Sequence, residues 1–121
     1  MIIFIICGYY KKNNSKALYH NSLVQKKESH FSNLRQLTFS GENAEAYFSL
    51  DGKSLIFQSH EGDSLCDQIY NLNIATGDIK MVSTGNGVTT CSYFIYPACK
   101  KIIYSSTHLG GEQCPAKPNY S

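Results

Sequence analysis

No segment of this chain carries a convincing helical spacing of apolar residues, and that absence makes all-β the expected fold class. The short motifs of several common chemistries are also missing. There is no G-x-x-x-x-G-K-[ST], so no loop built to cradle phosphates. Gly85-Asn86-Gly87 is a turn with no helix after it, which excludes a dinucleotide fingerprint. There is no G-x-S-x-G nucleophile elbow and no H-E-x-x-H metal motif. No C-x-x-C occurs, and the cysteine spacings fit neither zinc ribbons nor fingers. The expectation is a non-enzymatic protein with no cofactor and no metal.

The N-terminal apolar run, Met1 to Gly8, is too short to span a bilayer, which takes about 20 residues. No basic residue precedes it. It reads as the remnant of an export leader, with Cys7-Gly8 placed as in a lipoprotein cleavage site and Ile6 where a small residue is expected. Export points to a periplasmic or extracellular parent protein that touches the membrane only through a lipid anchor. Residues 9–34 are rich in Lys, Asn, Ser and His without apolar periodicity, and read as a polar basic linker. Residues 1–34 hold five lysines against Glu28 alone, whereas residues 35–121 hold Arg35 and five lysines against eight acids. The mildly acidic main part argues against nucleic acid as a partner.

What is present is a repeat. Arg35 to His60 and Lys80 to His108 carry the same strand-turn-strand phrase, about 46 residues apart. Leu37 answers to Val82, Tyr47-Phe48 to Tyr93-Phe94, and Leu55-Ile56-Phe57 to Ile102-Ile103-Tyr104. Short strands at a period of roughly 40–50 residues are the pattern of β-propeller blades. The expected strands are 35–39, 44–50, 54–59, 67–74 and 79–83, then 89–95 and 101–106. Asp51-Gly52 forms the first hairpin turn, and Pro97 stands in the second. Blade one is expected over 35–83 and a partial blade two over 84–121. That is about one and a half four-stranded antiparallel blades of an incomplete propeller, with the parent's remaining blades missing.

The phrase R-Q-L-T-F-S-G-E-N-A-E-A-Y-F-S-L-D-G-K-S-L-I-F-Q-S resembles the TolB-like propeller repeat. That repeat has a Leu-Thr opening, a small-residue and aromatic strand, then Ser-Pro-Asp-Gly-Lys; Leu50 stands in the Pro position here. The resemblance covers residues 35–121. It implies a binding scaffold that makes protein–protein contact in the bacterial cell envelope. Similar blades precede the catalytic domain of some prolyl-oligopeptidase-like peptidases and amidohydrolases, so the propeller portion of such an enzyme is one alternative. A truncated gene product without its own function is the other.

In a propeller blade, the loop into the innermost strand shares a face with the loop between the second and third strands. That rule gathers Glu42, Asn43, Glu45, His60, Asp67, Thr89, Thr90 and His108 as the candidate binding face. Cys66, Cys91 and Cys114 project onto the same face, with Cys99 on the opposite one. A Cys66–Cys91 disulfide would tie one blade to the next and suits an exported protein. Free thiols are the alternative, and metal ligation by His60, Asp63 and Cys66 is a third reading that chance spacing also produces.

Overall fold

The computed structural model describes residues 3–5, 26–27, 29–31, 34–62 and 66–116. Among these residues the chain forms eight strands and one 3-10 turn, with no α-helix. Strand β1 (Ile3–Ile5) pairs antiparallel with β2 (Leu34–Gln36). Three residues of the apolar run thus enter a ladder, which suits β-branched isoleucine. The rest of the expected leader, and most of the linker, lie outside the described residues. Leu34, placed in the linker by the sequence reading, belongs to β2. The strand expected over 35–39 stops at Gln36, whose side-chain amide donates to the Thr38 carbonyl at 2.8 Å.

The next four strands form one antiparallel meander: β3 (Glu42–Phe48), β4 (Ser54–His60), β5 (Gln68–Asn73) and β6 (Ile79–Met81). The turn between β3 and β4 is held by Asp51, whose Oδ1 accepts from the Ser49 hydroxyl at 2.7 Å and the Lys53 N–H at 3.1 Å. The turn after β5 is held by Asn73, whose Oδ1 accepts from the Ala75 and Thr76 N–H groups, a local geometry that short polar side chains favour. Strands β7 (Thr89–Phe94) and β8 (Ile102–Ser106) form a separate two-stranded hairpin.

Alternation along β4 sends apolar side chains to both faces of the meander. Leu55 and Phe57 point to one face, where Leu37 and Leu72 complete a buried cluster and Ala46, Tyr70 and Ile74 flank it. Ile56 points to the other face and packs with Ile69 and Phe94, flanked by Tyr47, Val82, Cys99, Ile102 and Tyr104. Leu37 packs with Leu55 and Phe57, and its repeat counterpart Val82 packs on the Ile56–Ile69–Phe94 cluster that Ile102 and Tyr104 also flank. The β7–β8 hairpin lies on the meander through the face that corresponds to the Leu55–Phe57 face of the meander itself.

The inner strands also share an irregularity. Pairing slips between Ala44 and Tyr47 in β3, and between Thr90 and Tyr93 in β7. The bulged residues Glu45 and Cys91 both take left-handed backbone angles, φ 52° and 53°. Such a conformation costs a side-chain-bearing residue about 1–2 kcal/mol, so its recurrence at the same place marks a bend that the packing imposes.

Ile56 is fully buried while its repeat counterpart Ile103 is 62% exposed. Trimming one methyl group therefore separates the two positions. Ile56→Val is expected to lower the free energy of unfolding by about 1 kcal/mol, and Ile103→Val by less than about 0.5 kcal/mol. Urea unfolding followed by circular dichroism measures both; equal losses would disprove the stacking of hairpin on meander.

Candidate functional site at the loop end

The meander and the hairpin begin and end their strands on one side, and there they are fastened to each other. Glu42 opens β3 opposite His60, the last residue of β4. Thr89 opens β7 opposite Ser106, the last residue of β8. Asp67 joins the two units: its carbonyl accepts the Thr89 N–H at 2.9 Å and the Thr89 hydroxyl at 3.2 Å. Glu42, Asn43, His60, Asp67, Thr89, Thr90 and His108 therefore share one end of the fold. Glu45 sits in the bulge behind them, its carboxylate accepting from the Tyr47 hydroxyl at 2.7 Å.

The densest polar arrangement centres on Asp67. Its Oδ1 lies 2.6 Å from His60 Nδ1, and its Oδ2 accepts from Gln58 Nε2 at 2.8 Å. The Gln58 side-chain Oε1 in turn accepts the Cys91 N–H at 3.0 Å. His60 Nε2 faces the exposed Glu42 carboxylate at 3.7 Å. This chain fixes the His60 ring between two carboxylates and presents a half-buried imidazole to the loop end. His108 is held more locally, with its Nδ1 at 2.7 Å from Ser106 Oγ. Asn43 is spent on the turn before β3, donating to the Ser40 and Gly41 carbonyls.

Two glycines make this crowding possible. A Cβ on Gly41, φ 70°, would sit 2.6 Å from the His60 carbonyl oxygen. A Cβ on Gly87, φ 61°, would sit 2.7 Å from Thr107 Oγ1 and 3.0 Å from the His108 nitrogen. They occupy matching places before the two inner strands, so the end of each second strand closes over a glycine. Gln68, buried beneath, donates to the Gly87 carbonyl at 2.8 Å and accepts from Ser83 Oγ and the Gly85 N–H. Gln58 and Gln68 were not among the expected site residues, because a glutamine inside a strand gives no sign of which loop it reaches.

The disulfide differs from the expected one. Cys66 bonds to Cys114, with Cα atoms 5.6 Å apart, and Cys91 is a free, exposed thiol. Cys114 rather than Cys91 is the partner of Cys66, so neither the Cys66–Cys91 bridge nor free thiols at both positions is what forms. Cys91 lies in the left-handed bulge of β7 with its N–H committed to the Gln58 side chain. The segment after β8 turns back instead: Gly87 N–H donates to the Glu112 carbonyl at 2.8 Å, which brings Cys114 to Cys66. The bridge also removes Cys66 from any metal reading; Asp63 lies outside the described residues, and no metal-binding group of three appears among the described ones. Cys99 sits in the β7–β8 turn at the opposite end, its sulfur accepting the Leu50 N–H at 3.4 Å.

Behind the bulges, Tyr47 and Tyr93 stack with ring centroids 4.0 Å apart and planes at 29°. The Tyr93 hydroxyl, and after it the Glu45 carboxylate, push the Tyr47 phenol above its usual range, so it stays protonated at any physiological pH. No protein-family model, curated protein or solved structure matches the chain.

The Cys66–Cys114 bridge spans 48 residues of sequence. By loop-closure entropy, its removal is expected to cost about 4 kcal/mol at most. A Cys66→Ser/Cys114→Ser protein should lose about 2–4 kcal/mol in urea unfolding, and adding reductant should then have no further effect. In the native oxidised protein, a maleimide should label Cys91 and spare both bridged cysteines in a peptide map. For the glycines, Gly62→Ala should cost about 1 kcal/mol from its left-handed backbone alone, since its surroundings are open, whereas Gly41→Ala and Gly87→Ala should each destabilise by more than about 2 kcal/mol because the added Cβ also meets backbone or side-chain atoms.

Proposed function

We propose that this chain is a β-propeller segment of TolB-like type that serves as a non-enzymatic scaffold and takes a protein partner at its loop end. The observation that carries this reading is the repeated interface. Leu37, Leu55 and Phe57 pack together in one apolar layer, and their repeat counterparts Val82, Ile102 and Tyr104 all pack on the next, the Ile56–Ile69–Phe94 layer. A four-stranded antiparallel meander that stacks on its own repeat in this way is the building principle of propellers. The loop end supports a contact role for a separate reason. The Cys66–Cys114 and Asp67–Thr89 bonds tie the loops of the two units together and the Gly87–Glu112 bond braces the second, so the loop end that carries His60 is cross-linked. Preorganised side chains lose little entropy on binding. The disulfide favours an oxidising compartment, in keeping with the periplasm or the cell exterior.

The test is position-specific photo-crosslinking in the cells that make the protein. A photoreactive residue at Glu42 or Thr90 should give one discrete protein adduct. The same residue at Gly77, in the β5–β6 turn at the other end, should give none. Adducts of equal yield from both ends, or none from the loop end, would disprove the scaffold reading.

A further inference from the structure

The turn Gly85-Asn86-Gly87 carries the one Asn-Gly pair in the chain. Asparagine before glycine is the pair most prone to lose its side-chain amide, because glycine has no Cβ to shield its backbone nitrogen from the neighbouring side-chain carbonyl. Asn86 is exposed, and among the described residues no hydrogen bond holds its side-chain amide. The attacking nitrogen, by contrast, is held. The Gly87 N–H donates to the Glu112 carbonyl at 2.8 Å, and the segment that carries Glu112 is fastened at Cys114 through its bond to Cys66. The turn is gripped further along as well. The Gly87 carbonyl accepts from Gln68 Nε2 at 2.8 Å, and the Val88 N–H donates to Thr107 Oγ1 at 3.0 Å. We propose that Asn86-Gly87 is a deamidation site that the Cys66–Cys114 bridge keeps closed and that reduction of the bridge opens.

Reduction comes first. The bridge takes two electrons and two protons from a dithiol, which becomes a disulfide, and Cys66 and Cys114 become thiols. The segment that carries Glu112 is then tied to the turn by hydrogen bonds alone, and local opening releases the Gly87 N–H. Its nitrogen gives its proton to hydroxide and attacks the Asn86 side-chain carbonyl carbon. The new N–C bond closes a succinimide ring, the bond from that carbon to Nδ2 breaks, and Nδ2 leaves as ammonia with a proton from water. Water then opens the ring at either carbonyl and leaves aspartate or isoaspartate at position 86. No electron changes hands after the first step. Isoaspartate routes the main chain through the side chain and adds a methylene group before Gly87. The site has no slack for it, since a Cβ on Gly87 would already sit 2.7 Å from Thr107 Oγ1. The modified turn does not reseat beneath Thr107 and His108, and reoxidation does not restore the loop end. The bridge is thus the reversible half of the device and Asn86 the irreversible half. This inference stands on the turn and the bridge and does not rest on the scaffold reading.

The intact oxidised chain, the chain reduced with a dithiol and a free peptide of residues 84–88 are incubated in parallel in mildly alkaline buffer. Peptide mapping by mass spectrometry follows aspartate and isoaspartate at position 86, and NMR follows hydrogen exchange at Gly87 and along β4. In the oxidised chain, deamidation should run at least about 5-fold slower than in the peptide, the factor that one hydrogen bond of ordinary net strength supplies. Reduction should bring the rate close to that of the peptide and speed exchange at Gly87, while β4 stays protected. A Cys66→Ser/Cys114→Ser chain should behave as the reduced one without any reductant. After reoxidation, molecules with isoaspartate should keep the fast Gly87 exchange and those with Asn86 should lose it. Deamidation of the oxidised chain at the rate of the peptide, or no acceleration on reduction, would overturn the proposal. Loss of protection throughout β4 on reduction would overturn it too, because the gate would then be global unfolding rather than release of one turn.

Discussion

The structure depends on one layer of contact, in which Ile56 and Ile69 of the meander meet Phe94 of the hairpin. The hairpin is two strands long in the sheet direction and cannot bury both of its faces by itself. Its order comes from being laid on the meander, and the loop end inherits that order. Asp67 reaches Thr89 because the apolar layer sets the two units at stacking distance. Cys114 reaches Cys66 because Thr107 and Glu112 are drawn onto Val88 and Gly87. The polar network is thus downstream of the apolar one. It locks a geometry that burial has already selected, and it supplies direction that burial alone lacks.

Much of this was legible in the sequence because repetition is a stronger signal than propensity. The paired phrases located every strand of the meander and hairpin to within a few residues, and Leu37 and Val82 each join an apolar layer. The loop end was legible too, since strand alternation and the turn at Asp51-Gly52 fix which loops point the same way. What could not be read were contacts made by flexible or trailing residues. The sequence reading expects Cys66, Cys91 and Cys114 on one face with Cys91 as the partner of Cys66; the actual pairing follows the return of the chain after β8, which brings Cys114 there. That return is not encoded in spacing. Gln58 and Gln68 were missed for a related reason: their side chains act on loops several residues away from their own strands. The short pairing of Ile3–Ile5 with β2 was hidden because an apolar run at the start of a chain has the same composition as a leader.

A repeat also separates what serves the fold from what is special to one copy. The glycines before the inner strands, the left-handed bulges and the stacked tyrosines occur in both units, at matching places, and architecture accounts for them. Glu45 and Cys91 make the point: the same backbone bend is tolerated by a carboxylate and by a thiol, so the bend is demanded by packing and the side chain is free to differ. Conversely, the turn at the far end is Asp51-Gly52 in one unit and Pro97-Ala98 in the other, so its chemistry is interchangeable so long as the strands return.

Once those shared features are set aside, the remainder is small and lies at the loop end. His60 held against Asp67, with Gln58 bracing the carboxylate, has no counterpart in the hairpin, where Ser105 and Thr107 stand at the corresponding positions. Packing does not require this network: His60 is at the strand end, its ring half-buried, and Asp67 could satisfy Thr89 through its backbone alone. A histidine held at Nδ1 by one carboxylate and facing a second, exposed one at Nε2 keeps an oriented imidazole edge at the surface, which the packing of the sheets does not need. The His60–Asp67–Gln58 constellation is therefore the part of the loop end that the repeat does not account for.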